Sequence, residues 1–90
     1  MEVLQTNRFK KAYKKLHPNQ LAEVNTAIET IINDPEIGEQ KKGNLSWLRV
    51  YKFTVLGQLT LLGYSVETAD RIMLTLVDIG SHENFYRDLH

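Results

Sequence analysis

Hydrophobic spacing divides the chain into two regimes. Phe9, Ala12, Tyr13 and Leu16 recur at i, i+3, i+4 and i+7, the stripe of an amphipathic helix. Thr6 or Asn7 offers a side-chain oxygen to cap it. His17-Pro18-Asn19 breaks this helix, and Pro18 suits the first turn of the next. Leu21, Val24, Ile28, Ile31 and Ile32 mark a second helical stripe. Asn33-Asp34-Pro35 ends it, because the residue before a proline is pushed out of the helical region. The two helices are expected to form an antiparallel hairpin.

Residues 36–44 read as a polar loop with two glycines, after which the period changes. Residues 45–56 are rich in Trp, Val, Tyr, Phe and Thr, which suit a pleated surface. Gly57-Gln58 supplies a turn, residues 59–66 a second strand, 67–70 a polar turn and 71–79 a third strand. Residues 2–5 read as a short N-terminal strand, and residues 82–89 as a short, helical tail after Gly80-Ser81. The predicted class is α+β: β-α-α-β-β-β plus the tail, with the helical hairpin on one face of a small antiparallel sheet.

Ninety residues are expected to make one domain. Cysteine is absent, which removes disulfides, thiolate metal sites and cysteine nucleophiles. No apolar run approaches the roughly 20 residues that span a bilayer. A cytoplasmic location without a membrane partner is the expectation. Eleven basic residues balance eleven acidic ones, so the chain lacks the basic excess of a strong nucleic-acid binder. The charges are nevertheless blocked. Residues 1–20 carry +4, residues 21–40 carry −5, residues 41–60 carry +4 and residues 61–90 carry −3. Local basic surfaces remain available.

Two segments could carry chemistry. In Trp47-Leu48-Arg49-Val50-Tyr51-Lys52-Phe53, strand alternation puts Trp47, Arg49, Tyr51 and Phe53 on one face and Leu48, Val50, Lys52 and Thr54 on the other. A face of arginine and aromatic rings suits RNA, since guanidinium pairs with phosphate and rings stack on bases. The same pattern also describes an ordinary cross-strand packing cluster with Trp47 in the core. The second segment is Gly80-Ser81-His82-Glu83-Asn84-Phe85-Tyr86-Arg87-Asp88. His82 is a natural proton shuttle near neutral pH. Read otherwise, Ser81 caps a helix whose first turn holds Glu83 and Asn84. The three histidines are too scattered for a metal site, and neither a glycine-rich phosphate loop nor a Gly-x-Ser-x-Gly elbow is present. No cofactor is expected.

At these residues the chain resembles the RelE/ParE superfamily of bacterial toxins from type II toxin–antitoxin pairs. The resemblance runs through the helix ending Ile31-Ile32-Asn33-Asp34-Pro35, the loop Lys41-Lys42-Gly43-Asn44-Leu45, and Leu48 to Phe53. It continues through Gly57-Gln58-Leu59, Leu62-Gly63-Tyr64, and Ile79 to Tyr86. It implies a cognate antitoxin as partner and one of two activities. RelE-like members, including the YoeB and YafQ types, cleave mRNA on the ribosome without metal, the ribose 2′-hydroxyl attacking the adjacent phosphorus to leave a cyclic phosphate. ParE-like members inhibit DNA gyrase by binding, without hydrolysis. A degenerate toxin that only binds antitoxin is a third outcome.

For the nuclease, the resemblance implies His82 as acid–base, Tyr86 as an orienting or stacking group, Arg49 on the phosphate, and Glu83 as an orienter of His82. Lys52, Tyr51, Arg87, Lys41 and Lys42 are the implied substrate-binding groups. Arg49 and Lys52 point to opposite faces, so only one reaches a substrate on the open face, and alternation with Tyr51 favours Arg49. Where RelE carries a phosphate-binding arginine before the third strand's Leu-x-Tyr, this chain has Leu61.

Overall fold

The computed structural model describes residues 1–82 and Phe85. The elements follow the order β1 (Glu2–Gln5), α1 (Asn7–Lys14), α2 (Pro18–Asn33), β2 (Glu39–Gln40), β3 (Arg49–Val55), β4 (Gln58–Thr68) and β5 (Ile72–Ser81). The sheet runs β1-β5-β4-β3-β2, and α1 and α2 pack on one face of it. The fold is α+β, as the patterning predicts. The sheet, however, is mixed and not purely antiparallel. β1 returns alongside β5 in parallel, pairing Glu2 with Met73 and Gln5 with Leu76.

Thr6 explains why the chain leaves β1 as a helix. Its Oγ1 accepts from the Phe9 N–H at 3.0 Å, the N-cap bond, and donates to the Val77 carbonyl at 2.6 Å. One hydroxyl therefore starts α1 and fastens it to β5. No acid sits in the first turn of α1, but Lys11 and Lys14 in its last turn suit the negative end of the helix dipole. Pro18 occupies the first turn of α2, and Gln20 reaches back to accept from the His17 N–H at 2.8 Å. The Tyr13 hydroxyl donates to Asn25 Oδ1 at 2.8 Å and ties the two helices together.

The helix-side core joins Phe9, Val24, Ala27 and Ile31 to Val55, Leu62, Tyr64, Leu74, Leu76 and Ile79, with Tyr51 and Phe53 packed against it. The opposite sheet face holds a smaller cluster of Leu48, Val50, Leu61, Val77 and Phe85. A register shift between Gly63 and Tyr64 resets the alternation on β5. Gly63 pairs with Asp78 but Tyr64 pairs with Leu76, which leaves Val77 as the extra residue of a bulge. With the extra residue, Leu76 and Ile79, three apart, both serve the helix side, and Val77 the other. Asp78 beside the bulge is buried; its Oδ1 accepts from the Ile79 N–H at 2.8 Å and its Oδ2 pairs with Arg8 Nε at 3.0 Å.

Boundaries differ from the sequence expectation most before β3. The polar loop contains the two-residue β2 and a 3-10 turn at Gly43–Leu45, and β3 begins at Arg49. Trp47 therefore lies outside the strand, 50% exposed, and is not a core residue. β4 is longer than expected at both ends, and β5 starts one residue later and ends two residues later than expected. The tail expected over residues 82–89 lies outside the described residues except for His82 and Phe85. No helix among the described residues is long and apolar enough to cross a membrane.

Candidate functional site

The sheet face away from the helices is the surface on which the sequence places a substrate. Its centre is apolar. Phe85, itself buried, lies over Gly63 so closely that a Cβ there would sit 2.6 Å from Phe85 Cζ. Around it are Leu48, Val50, Leu61 and Val77.

The basic groups gather at one rim. Lys52 follows Val50 by two along β3 and pairs across to Leu61, so it shares their face. Glu39 pairs with Val50 across the β2–β3 edge, and Lys41 Nζ contacts Glu39 Oε1 at 3.2 Å. The Glu39 carboxyl is held below the usual carboxylate range, first by Lys41 through its hydrogen bond and charge, then by the charges of Lys52 and Lys42. One carboxylate thus sits among three ammonium groups. The fold brings together Lys41, Lys42 and Lys52, named from the sequence as separate candidates.

His82 stands at the far side of this face. Leu59 follows the row of Leu61 on β4, and the His82 N–H donates to the Leu59 carbonyl at 3.4 Å. Alternation from Ile79, which serves the helix side, carries Gly80 and His82 to the open side. His82 is exposed. Lys52 and Gly80 lie in one row, both registered on Leu61, two strand spacings or about 10 Å apart.

Arg49 is not on this face. The expectation that it, rather than Lys52, reaches the open side fails because the helices take the aromatic side of β3. Tyr51 and Phe53 stack with ring centroids 5.7 Å apart and pack against the α2-side core. Tyr51 lines a groove with Glu23, Thr26 and Thr30 of α2, away from His82. The Arg49 guanidinium turns to the loop after α2, donating to the carbonyls of Gly38 at 2.7 Å and Glu36 at 3.1 Å. Glu83, Tyr86 and Arg87 lie outside the described residues.

Tyr64 joins Arg49 in this clasp, and the two are cross-strand partners. The fully buried phenol donates to the Pro35 carbonyl at 2.8 Å and accepts from the Gly38 N–H at 2.9 Å. Burial pushes its pKa up, opposed by the Gly38 N–H and by the charge of Arg49. A Cβ on Gly38 would sit 2.7 Å from the Tyr64 hydroxyl, so only glycine fits. The clasp fixes the segment that leads into Glu39 and Lys41. The sequence marks Tyr64 only within the Leu62-Gly63-Tyr64 stretch of the family resemblance, and gives no role to it, to Gly38 or to Glu39. A glycine in the loop and a tyrosine in an apolar strand do not disclose a contact across 26 residues.

Among the described residues no group of three His, Asp or Glu side chains could hold a metal ion. No curated protein matches the chain in sequence. Among solved structures, the chain is similar to a double arginine-to-alanine mutant of the E. coli toxin RelE, in complex with an antitoxin RelBc peptide. The identity is 14% and the TM-score 0.67, with 99% of this chain and 93% of that chain covered, a likeness of fold. The family model described as ParE-like toxin of type II bacterial toxin–antitoxin system matches residues 3–90. With nearly its whole length matched, the chain belongs to the ParE-like toxins of type II bacterial toxin–antitoxin systems.

Proposed function

We propose that this toxin arrests growth by cutting mRNA on the ribosome. The observation that supports this best is that Lys52 lies on, and Lys41 at the rim of, the same open face that presents exposed His82, with the charge of Lys42 felt at Glu39 between them. Transphosphorylation needs a proton acceptor at the 2′-hydroxyl, positive charge on the phosphate oxygens, and a proton donor for the departing 5′-oxygen. His82 handles a proton at one of those oxygens. Lys52 supplies the phosphate charge, in place of the Arg49 favoured by the sequence. Lys41 and Lys42 track the neighbouring backbone. Glu83 and Tyr86 keep the orienting roles that the family resemblance implies, and Arg87 remains a substrate-binding candidate.

One observation favours a second reading, a ParE-like gyrase inhibitor that binds without hydrolysis. Leu61 is fully buried in the apolar cluster, so the face gains no cation where RelE has an arginine. On either reading the partner is a cognate antitoxin. The similar RelE structure holds an antitoxin peptide, and the lysines of α1 suit an acidic one.

Induction of the toxin without antitoxin, followed by primer extension on an abundant mRNA, separates the readings. Cleavage within translated codons that disappears with His82→Gln supports the nuclease. Intact mRNA with growth arrest and a DNA-damage response moves the activity to gyrase. Intact mRNA with normal growth leaves an antitoxin-binding protein alone.

A further inference from the structure

The β3–β4 hairpin has an unusual tip. Val55 pairs with Gln58, so Leu56 and Gly57 form a two-residue turn. Both have positive φ, 50° and 78°. Asn-Gly is the usual choice for such a turn, because Asn tolerates the left-handed region and a branched apolar residue does not. Leu56 is the only non-glycine residue with positive φ among the described residues, and its side chain is 60% exposed. It therefore gains little from burial while holding a disfavoured backbone. Strain of this kind, kept without a packing reason, points to a contact made with something else.

Leu59 follows three residues after Leu56, near the start of β4. It is 42% exposed and lies on the open sheet face, directly beside His82. One row further along that face is Lys52. An exposed apolar side chain, Leu59, thus lies beside the groups assigned to phosphate chemistry, and exposed Leu56 stands at the hairpin tip next to it in sequence. A single-stranded nucleotide has the matching division, an anionic phosphate and a flat, weakly polar base that packs on apolar side chains once unstacked. We infer that Leu56 and Leu59 form a shelf for one RNA base beside the scissile phosphate, so that the hairpin tip sets which nucleotides are cut. This rests on the nuclease reading above.

The test is a substitution that separates fold from function. Leu56→Asn relieves the strained turn and removes the apolar shelf. Purified wild-type and Leu56→Asn toxins are compared by thermal unfolding and by cleavage of an mRNA on purified ribosomes, mapped by primer extension. The expected result is a melting temperature raised by about 4–8 °C together with cleavage that slows at least about tenfold or loses its nucleotide preference. A stabilised variant that cuts the same positions at the same rate overturns the inference, as does a variant of lower melting temperature. A variant that cuts normally on ribosomes but no longer arrests growth overturns it too, and assigns the tip to a protein partner. If the wild type itself cuts nothing, the nuclease reading falls and takes the shelf with it.

Discussion

Tyr64→Phe is the sharpest test of how the fold holds the basic rim in place. The substitution keeps the ring and removes one oxygen. That oxygen serves two partners, the Pro35 carbonyl at 2.8 Å and the Gly38 N–H at 2.9 Å, the latter on a buried residue. Leaving one buried group unpaired costs roughly 1–3 kcal/mol, and here two partners share the loss, so about 2 kcal/mol is expected. In a domain of this size that lowers the melting temperature by about 8–16 °C. A second signature lies in pH. The phenol's pKa is raised in the folded state above the ordinary 10.0. The folded protein thus holds this proton more tightly than the unfolded chain, and the associated stability is complete below pH 10 and declines as pH rises past it. Phenylalanine has no such proton, so the gap between wild type and variant is greatest at neutral pH and narrows at alkaline pH. Thermal unfolding followed by circular dichroism across that range reads both effects. A melting temperature unchanged at neutral pH, or a gap that widens above pH 10, refutes the clasp.

Other expectations follow from the same packing. Gly63→Ala drives a methyl toward Phe85 Cζ, 2.6 Å from the Cβ position, and overpacking of this kind costs about 1–3 kcal/mol, read as a lower denaturation midpoint in urea. Thr6→Val keeps the branched shape but loses both the bond from the Phe9 N–H and the bond to the Val77 carbonyl, costing about 1–2 kcal/mol by the same measurement. Glu39→Gln removes the one carboxylate among three lysines and is expected to tighten binding of a short single-stranded RNA at low salt, with a steeper salt dependence in a fluorescence titration.

The helices were legible because each packs one stripe against one core. Phe9 of α1 and Val24 and Ile31 of α2 lie on the stripes that the spacing marks, while Ala27, outside the marked stripe, is buried with them. The strands were legible as strands, but their orientation was not. Along β3 and the residue before it, Leu48 and Val50 are as apolar as Tyr51 and Phe53, and both sets are packed, one against Phe85 and the other against the helices. Alternation separates the two sets without saying which one faces the helices. That ambiguity placed Arg49 on the wrong side and hid its role in holding the Glu36–Gly38 carbonyls. β2 escaped notice because two polar residues carry no periodicity, and tertiary pairing with Arg49 and Val50 alone makes them a strand. The parallel pairing of β1 also depends on a partner some 70 residues away. For the candidate site the sequence supplied residue types alone. Its assembly, with Lys52 taking the place given to Arg49, required the faces of the sheet.

The most direct test of the central claim uses purified ribosomes translating a defined mRNA, incubated with purified wild-type toxin or with His82→Gln or Lys52→Ala. The account predicts cuts within translated codons by the wild type, ending in a cyclic phosphate. It also predicts their loss in both variants, while Arg49→Lys, away from the face, cuts at the same codons. Intact mRNA with the wild type, or cleavage that persists in folded His82→Gln and Lys52→Ala proteins, contradicts it.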